Sequence, residues 1–371
     1  MPDLVDLRRR LTEFAEREAA GVSPLYELLA LGAAGDDEVA GLLGAARQGC
    51  ATPALLLAAA HRLLQSEPFH ELSGYYPSLG GACGPDQGTW PLFRSFVLDR
   101  ADRMRALIAT RGTASNDVRR AALLYPAVAL AAKQAKAPVG LLQVGAGAGL
   151  LLLMDRFGLR YQTEQAGQLA VGPAKAPLGL HCVLGVAGDA PLPALPKKLP
   201  VAARIGLDPA PVDATDPDEF AWLEACVWAD QPERLRWLGI AAGMLRKDRP
   251  DLVTGDPVED LPAVAAKVPA ELPLVVFDTD TTGQWDADRR AEYVRLLSVL
   301  SQRRQLWWVS HESYLSGLDL VLPGREDLVP RDGDPVVGTL GLVRWVQGRP
   351  QAQALARTGR HGQRLEWLPV G

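Results

Sequence analysis

Leu141-Leu142-Gln143-Val144-Gly145-Ala146-Gly147-Ala148-Gly149-Leu150 decides how this chain is read. Residues 138–144 form a short apolar run of the kind that makes a buried strand, and 147–157 read as the helix after it. The glycines between them let the backbone turn sharply and let a ligand approach the main chain. N–H groups at the start of the helix can meet polar or anionic ligand atoms. The spacing is Gly-x-Gly-x-Gly, whereas a dinucleotide fingerprint wants Gly or Ala where this chain has Leu150. A turn that serves close packing alone is the plainer alternative.

Downstream, strand-like runs fall at 201–207, 252–254, 274–277, 306–310, 339–345 and 352–356. Helical stretches at 217–245, 262–267 and 287–303 separate several of them. Short apolar strands alternating with helices predict a mainly parallel sheet covered on both faces. The last two runs are joined only by Gly348-Arg349-Pro350, which predicts a terminal antiparallel hairpin. Residues 158–199, rich in Gly, Pro and Gln, are expected to be an insertion with small strands of its own. Upstream the style is helical. Leu4, Leu7, Leu11 and Phe14 recur at spacings of three and four, and further helices are expected at 24–31, 36–46, 53–64, 90–111 and 117–133. The expected division is a helical domain at 1–135, a substrate lid or cap, and an α/β domain at 136–371.

Composition narrows the function. Lys and Arg number 39 against 44 Asp and Glu, a net charge of −5, which argues against a nucleic-acid-coating protein. Hydrophobic residues at 48% rule out disorder as the main state. The four cysteines form no CxxC pair, so neither a zinc cluster nor a disulfide framework is expected. The first twenty residues are charged and amphipathic, and no apolar run approaches a bilayer span. A cytoplasmic protein without membrane or nucleic-acid partners, acting on a small molecule, is the expectation; oligomeric state is not legible.

The Gly-x-Gly-x-Gly form resembles the first motif of class I S-adenosylmethionine-dependent methyltransferases. The resemblance implies a Rossmann-like sheet of that type. Gly145, Gly147 and Gly149 would then hold the methionine part of S-adenosylmethionine, with Gln143 where such enzymes carry an acid. It implies that Asp208 contacts the ribose and Asp256 the adenine. Asp278, Asp280 or His311, at the ends of the fourth and fifth strands, would deprotonate or orient the methyl acceptor. Each has a structural alternative. Asp208-Pro209 and Gly255-Asp256-Pro257 read equally as turns, and His311 equally as a hydrogen-bonded structural histidine. Asp278 and Asp280 alternate on a strand end and are expected to share one face, where two carboxylates could take a divalent cation or share a proton. A solvated turn is the plainer reading of them. The five histidines include no ligand pair at helical spacing, so no metal site is expected.

Several segments together resemble DUF2332, an uncharacterised and mainly actinobacterial family. They are Tyr75-Tyr76-Pro77-Ser78-Leu79-Gly80-Gly81, Ser115-Asn116-Asp117, the glycine turn, Gly206 to Asp213, Val227-Trp228-Ala229-Asp230-Gln231-Pro232-Glu233-Arg234-Leu235, and His361-Gly362. The resemblance places Tyr75, Tyr76, Asn116, Asp230, Gln231 and Arg234 toward a substrate; a packed loop for the tyrosines and a local Asp230–Arg234 ion pair are the plainer readings. The family's glycine motif resembles Glu-Ile-Gly-Ala-Ser-Ala-Gly-Leu-Asn-Leu, from which Gln143, Gly147 and Leu151 depart. Two further readings of function stand beside methyl transfer: a cyclisation, rearrangement or elimination on the same fold, and a non-catalytic binding or scaffold protein. Serine-hydrolase chemistry has no support, because no Gly-x-Ser-x-Gly elbow is present.

Overall fold

A computed structural model describes residues 3–113, 117–331, 338–359 and 362–369. Asn116 and His361 lie outside the described residues. The helices are α1 Leu4–Phe14, α2 Pro24–Ala34, α3 Asp37–Gly41, α4 Pro53–Gln65, α5 Thr89–Leu98 and α6 Ala101–Thr110, then α7 Ala121–Ala135, α8 Pro217–Ala225, α9 Pro232–Leu245, α10 Leu261–Ala265 and α11 Ala287–Ser301. The chain divides into two compact units, one of residues 1–116 and 213–239 and the other of 117–212 and 240–371. This differs from the boundary expected near residue 136. Helix α7 belongs to the α/β unit, and the segment after Asp213 returns to the helical one.

In the helical unit the N-caps are those the sequence signals. Asp3, Ser23, Asp36 and Thr52 accept N–H groups from the first turns of α1 to α4, and Pro24 and Pro53 occupy first helical positions. Leu7, Leu11, Leu29, Leu55, Phe93 and Phe96 fill the core, and the returning segment adds Trp222 and Ala229 to it. Asp218 binds Arg62 and Arg111 at 2.6 Å each, which ties α8 to α4 and to the end of α6.

The α/β unit is one sheet of eleven strands: β1 Val139–Val144, β2 Gly158–Thr163, β3 Gly167–Val171, β4 Gly179–Val186, β5 Val201–Asp208, β6 Asp251–Thr254, β7 Leu274–Thr279, β8 Leu306–Glu312, β9 Gly338–Val346, β10 Arg349–Thr358 and β11 Arg364–Trp367. Their order is β3-β2-β4-β11-β10-β9-β8-β7-β1-β5-β6. The segment β6-β5-β1-β7-β8 is parallel throughout. In chain order its strands run 3-2-1-4-5, so the order reverses between β1 and β7. Open α/β sheets bind ligands at such a reversal, outside the carboxyl ends of the strands. The expected hairpin is present as β9 and β10. Residues 158–199 do carry small strands, but these do not stand apart. β4 pairs with β11, which pairs with β10, so the excursion becomes the far end of the same sheet. The bridging strand β11 is only four residues long, with Leu365 and Trp367 buried, too short a pattern to read from sequence.

Helix α7 packs on one face, against β7, β8, β9 and β4, and α10 and α11 cover the other. The apolar residues of α7 leave no polar side, and most of the helix is buried. Pro126 lies inside it and lacks the N–H that would bond Ala122 O. Tyr161 of β2 supplies the missing donor, with its hydroxyl 2.7 Å from Ala122 O. On the opposite face Leu142, Val144, Ile205, Leu207, Val276 and Trp308 pack with Tyr293 and Leu297 of α11. Among the described residues no helix is long and apolar enough to cross a membrane.

Candidate functional site

β1 ends at the reversal point and runs into the glycine turn. Gly145, Gly147 and Gly149 take φ of +71°, +52° and +72°, so all three positions favour glycine. The helix expected from 147 is instead a 3₁₀ segment, Leu150–Arg156. Four N–H groups of the turn are engaged by the protein itself. Gly145 and Ala146 donate to Leu207 O, and Gly149 to Ala146 O. Gly147 donates to Asp208 Oδ2 at 2.7 Å. Asp208 Oδ1 accepts from Ala210 N at 2.8 Å, and Val212 N returns to Gly147 O at 3.1 Å. Asp208 therefore straps the end of β5 across the turn. The acceptors are less occupied. Gln143 is 3% exposed, its amide nitrogen reaches Gly145 O at 3.4 Å, and its Oε1 has no hydrogen-bond partner among the described residues. A carboxylate offers about four lone-pair sites, of which Asp208 uses two.

Gly145 meets the end of β7. A Cβ on Gly145 would lie 2.2 Å from Thr281 Oγ1 and 2.9 Å from Thr281 Cγ2. The 281–283 segment is held in place by Glu312 of β8. Glu312 Oε1 accepts Thr281 N at 2.5 Å and Thr282 N at 3.1 Å, and Oε2 accepts Gly283 N at 3.4 Å. Burial, together with repulsion from Asp278, pushes the Glu312 carboxyl up to about 8. Burial likewise raises Asp278, opposed by hydrogen bonds from Trp308, Tyr293 and Ser310. Asp278 is fully buried; Oδ2 takes Tyr293 Oη at 3.0 Å and Trp308 Nε1 at 2.6 Å.

Asp278 and Asp280 do not share a face, which corrects the expectation. Asp278 lies on the α11 side. β7 ends at Thr279 and Asp280 takes φ +52°, which breaks the alternation. Asp280 instead pairs with Arg120, just before α7. The Asp280 side chain is 56% exposed while that of Arg120 is 9% exposed. Gln284 Nε2 donates to Asp280 O at 2.9 Å, so the unusual backbone is fixed from both sides. Among the described residues no three His, Cys, Asp or Glu side chains gather as metal ligands.

His311 lies on the α7 face beside these groups. Its Nδ1 and Nε2 each meet a hydroxyl at 2.8 Å, Thr279 and Thr358 respectively. Burial pushes it down to about 4, so it is neutral at physiological pH. Asp256 accepts Val258 N and Glu259 N on Oδ1 and Arg289 on Oδ2 at 2.6 Å. Burial acts against its charged form, but Arg289 and the two N–H groups outweigh it and hold the carboxyl below its usual range. In this geometry Asp256 caps a turn.

The model of a family described as an uncharacterised protein conserved in bacteria, DUF2332, matches residues 8–367. The chain belongs to this family. A comparison with curated proteins gives no match. The DUF2332 match runs through both units, and the remaining candidates lie in the helical one. Tyr76 is fully buried, its ring 5.4 Å from that of His61, and burial drives its phenol well up. Tyr75 donates to Asp86 at 3.0 Å. Asp230 receives Ser23 Oγ at 2.7 Å and Leu25 N at 3.3 Å, at the start of α2. Gln231 accepts Arg234 at 2.8 Å.

Sequence reasoning passed over three groups. Glu312 was overshadowed by its neighbour His311, and Arg120 carries no motif. Ser78 lies in the Tyr75–Gly81 segment and His61 seventeen residues earlier, yet Ser78 Oγ and His61 Nε2 are 2.8 Å apart. No spacing rule announces that pair, because a loop and a helix bring it together.

Proposed function

We propose that the α/β unit binds S-adenosylmethionine and transfers its methyl group to a small molecule. The observation that carries this reading is the imbalance of donors and acceptors around the glycine turn. The N–H groups at 145, 146, 147 and 149 are engaged within the chain, whereas Gln143 Oε1 is buried with no partner among the described residues and Asp208 retains lone pairs. A phosphate needs donors at such a turn. A ligand that itself donates, through an ammonium and a ribose diol, fits the acceptors present. Gln143 and Gly145 O would hold the ammonium and Asp208 the diol. When bound, the group supplies an electrophilic methyl on a sulfonium. Asp256, bound to Arg289 and its own turn, supports the wall of the site rather than a ligand.

Methyl transfer asks chiefly for in-line placement. Of the three side chains expected to handle the acceptor, Asp278 is enclosed and His311 is held between two hydroxyls. Asp280 is the exposed one, oriented by Arg120 at the end of β7, and in this reading it receives the acceptor's proton or fixes its donor group. Equilibrium dialysis with radiolabelled S-adenosylmethionine tests the imbalance. Gln143→Glu, which adds charge to the orphaned acceptor, should tighten binding at least about fivefold, since a hydrogen bond to a charged group exceeds a neutral one by ~1 kcal/mol. Weaker binding in Gln143→Glu contradicts the assignment.

A further inference from the structure

Outside that site, the helical unit holds a second arrangement with the parts of a reactive centre. His61 sits on α4, fully buried, with Nδ1 3.1 Å from Ala225 O. A carbonyl only accepts, so Nδ1 carries the proton and Nε2 of the neutral ring carries a lone pair. That lone pair faces Ser78 Oγ at 2.8 Å, so the hydroxyl must donate to it. The lone pairs of Ser78 are thereby directed away from the ring. Burial favours the neutral imidazole, pushing its pKa down to about 4. Ser78 lies half-buried in the 3₁₀ turn Pro77–Leu79, which the exposed loop 82–88 follows in sequence. Its N–H bonds Ala229 O at 2.8 Å, so Ala225 and Ala229 fix base and hydroxyl from one segment.

We propose that Ser78 is a nucleophile with His61 as its general base, forming an acyl-transfer centre in the helical unit. A base hydrogen-bonded to the nucleophile, and itself oriented by a third group, is the arrangement that activates serine; here a backbone carbonyl is the third group. Ser78 Oγ adds to an acyl carbonyl while its proton passes to His61 Nε2. The bond to the leaving group breaks and the proton follows onto that group. Water then repeats the sequence, releasing the acid and restoring the hydroxyl. The backbone limits the substrate. The N–H groups of Ser78, Leu79, Gly80 and Gly81 are all bonded to carbonyls within the unit. They make no oxyanion hole, and the loss of one such donor costs about 10²–10³ in rate. The substrates are therefore acyl groups on good leaving groups, aryl esters or thioesters, and not amides.

The test is covalent labelling of the full chain by an alkyl fluorophosphonate, with the modified residue located by tandem mass spectrometry. Wild type should lose fluoride from the probe and carry the phosphonyl group on Ser78. Ser78→Ala should remove that label. His61→Asn, whose amide nitrogen takes the place of Nδ1 and can still donate to Ala225 O, should slow labelling by about 10²-fold or more. A second readout needs no variant. The labelling rate of wild type should level off above about pH 5, because the base is already neutral there, whereas an unassisted serine gains tenfold per pH unit. Folded wild type unlabelled at Ser78, or a rate that climbs tenfold per unit from pH 5 to 8, overturns the proposal. Either result leaves the nucleoside reading of the α/β unit standing, since the residues are separate.

Discussion

Gly145→Ala is the substitution whose consequence the structure fixes most closely. Two costs add. The residue sits at φ +71°, where an L side chain costs roughly 1–2 kcal/mol. The new methyl would also lie 2.2 Å from Thr281 Oγ1. Thr281 cannot retreat along the main chain, because its N–H is bound to Glu312 at 2.5 Å. Its side chain must rotate instead and give up its bond to Thr279 O at 3.2 Å. Overpacking of this kind costs about 1–3 kcal/mol. The sum is about 2–5 kcal/mol, which should lower a urea midpoint by roughly 1–2 M at a slope of about 2–3 kcal/mol/M. Thr281→Ala supplies the control. In the double variant the packing part should be recovered and the backbone part retained, a coupling of about 1–3 kcal/mol. A Gly145→Ala unfolding free energy within ~0.5 kcal/mol of wild type, or no coupling in the cycle, would refute the contact between the glycine turn and the end of β7.

Other outcomes follow from named groups. Glu312 is raised to about 8, so its protonated form is favoured in the fold, and stability is greatest below the usual carboxylate range and falls as pH rises toward 8. His61 and His311, lowered to about 4, act oppositely, and their contribution is complete above about pH 6.5. Between pH 6.5 and 8 the acid acts without them. Stability measured by urea titration should there decline by up to ~1.4 kcal/mol per pH unit, and Glu312→Gln should flatten the slope. Tyr161→Phe leaves Ala122 O without its donor and should cost about 1–3 kcal/mol; in a Pro126→Ala background, where the helix regains that bond, the cost should shrink below ~1 kcal/mol. Asp280→Asn keeps the shape and tolerates the left-handed backbone but removes the partner charge of Arg120. A loss of about 1–2 kcal/mol in urea unfolding is expected, and no loss would mean that the pair is idle.

The parallel core was legible because its strands are apolar on both faces and separated by helices. β1, β5, β7 and β8 fall within two residues of the runs read from sequence. The far end of the sheet was not. β2 and β4 alternate in burial like an ordinary antiparallel patch, and nothing local says that β11 will join them to β10. Helix α7 reads as part of a helical domain, because helical periodicity says nothing about which core an all-apolar helix enters. At the site, Gly145, Gly147 and Gly149 were legible through turn chemistry, and Gln143 and Asp208 only through the resemblance; Asp208 meets Gly147 N and Gln143 meets Gly145 O. The relation of Asp278 to Asp280 was not, since period-two reasoning fails once the strand ends in a left-handed residue. Glu312 and the Ser78–His61 pair depend on contacts between elements distant in sequence, and no pattern of spacing encodes them.

The most direct measurement is calorimetric titration of the full chain with S-adenosylmethionine and S-adenosylhomocysteine, with NAD as the control. Acceptors at Gln143 and Asp208, with four of the turn's donors engaged, predict micromolar binding of the first two, none of NAD, and a loss of at least tenfold in Asp208→Ala. Binding of NAD alone, or no heat with either sulfur nucleoside at millimolar concentration, would contradict the nucleoside-site reading.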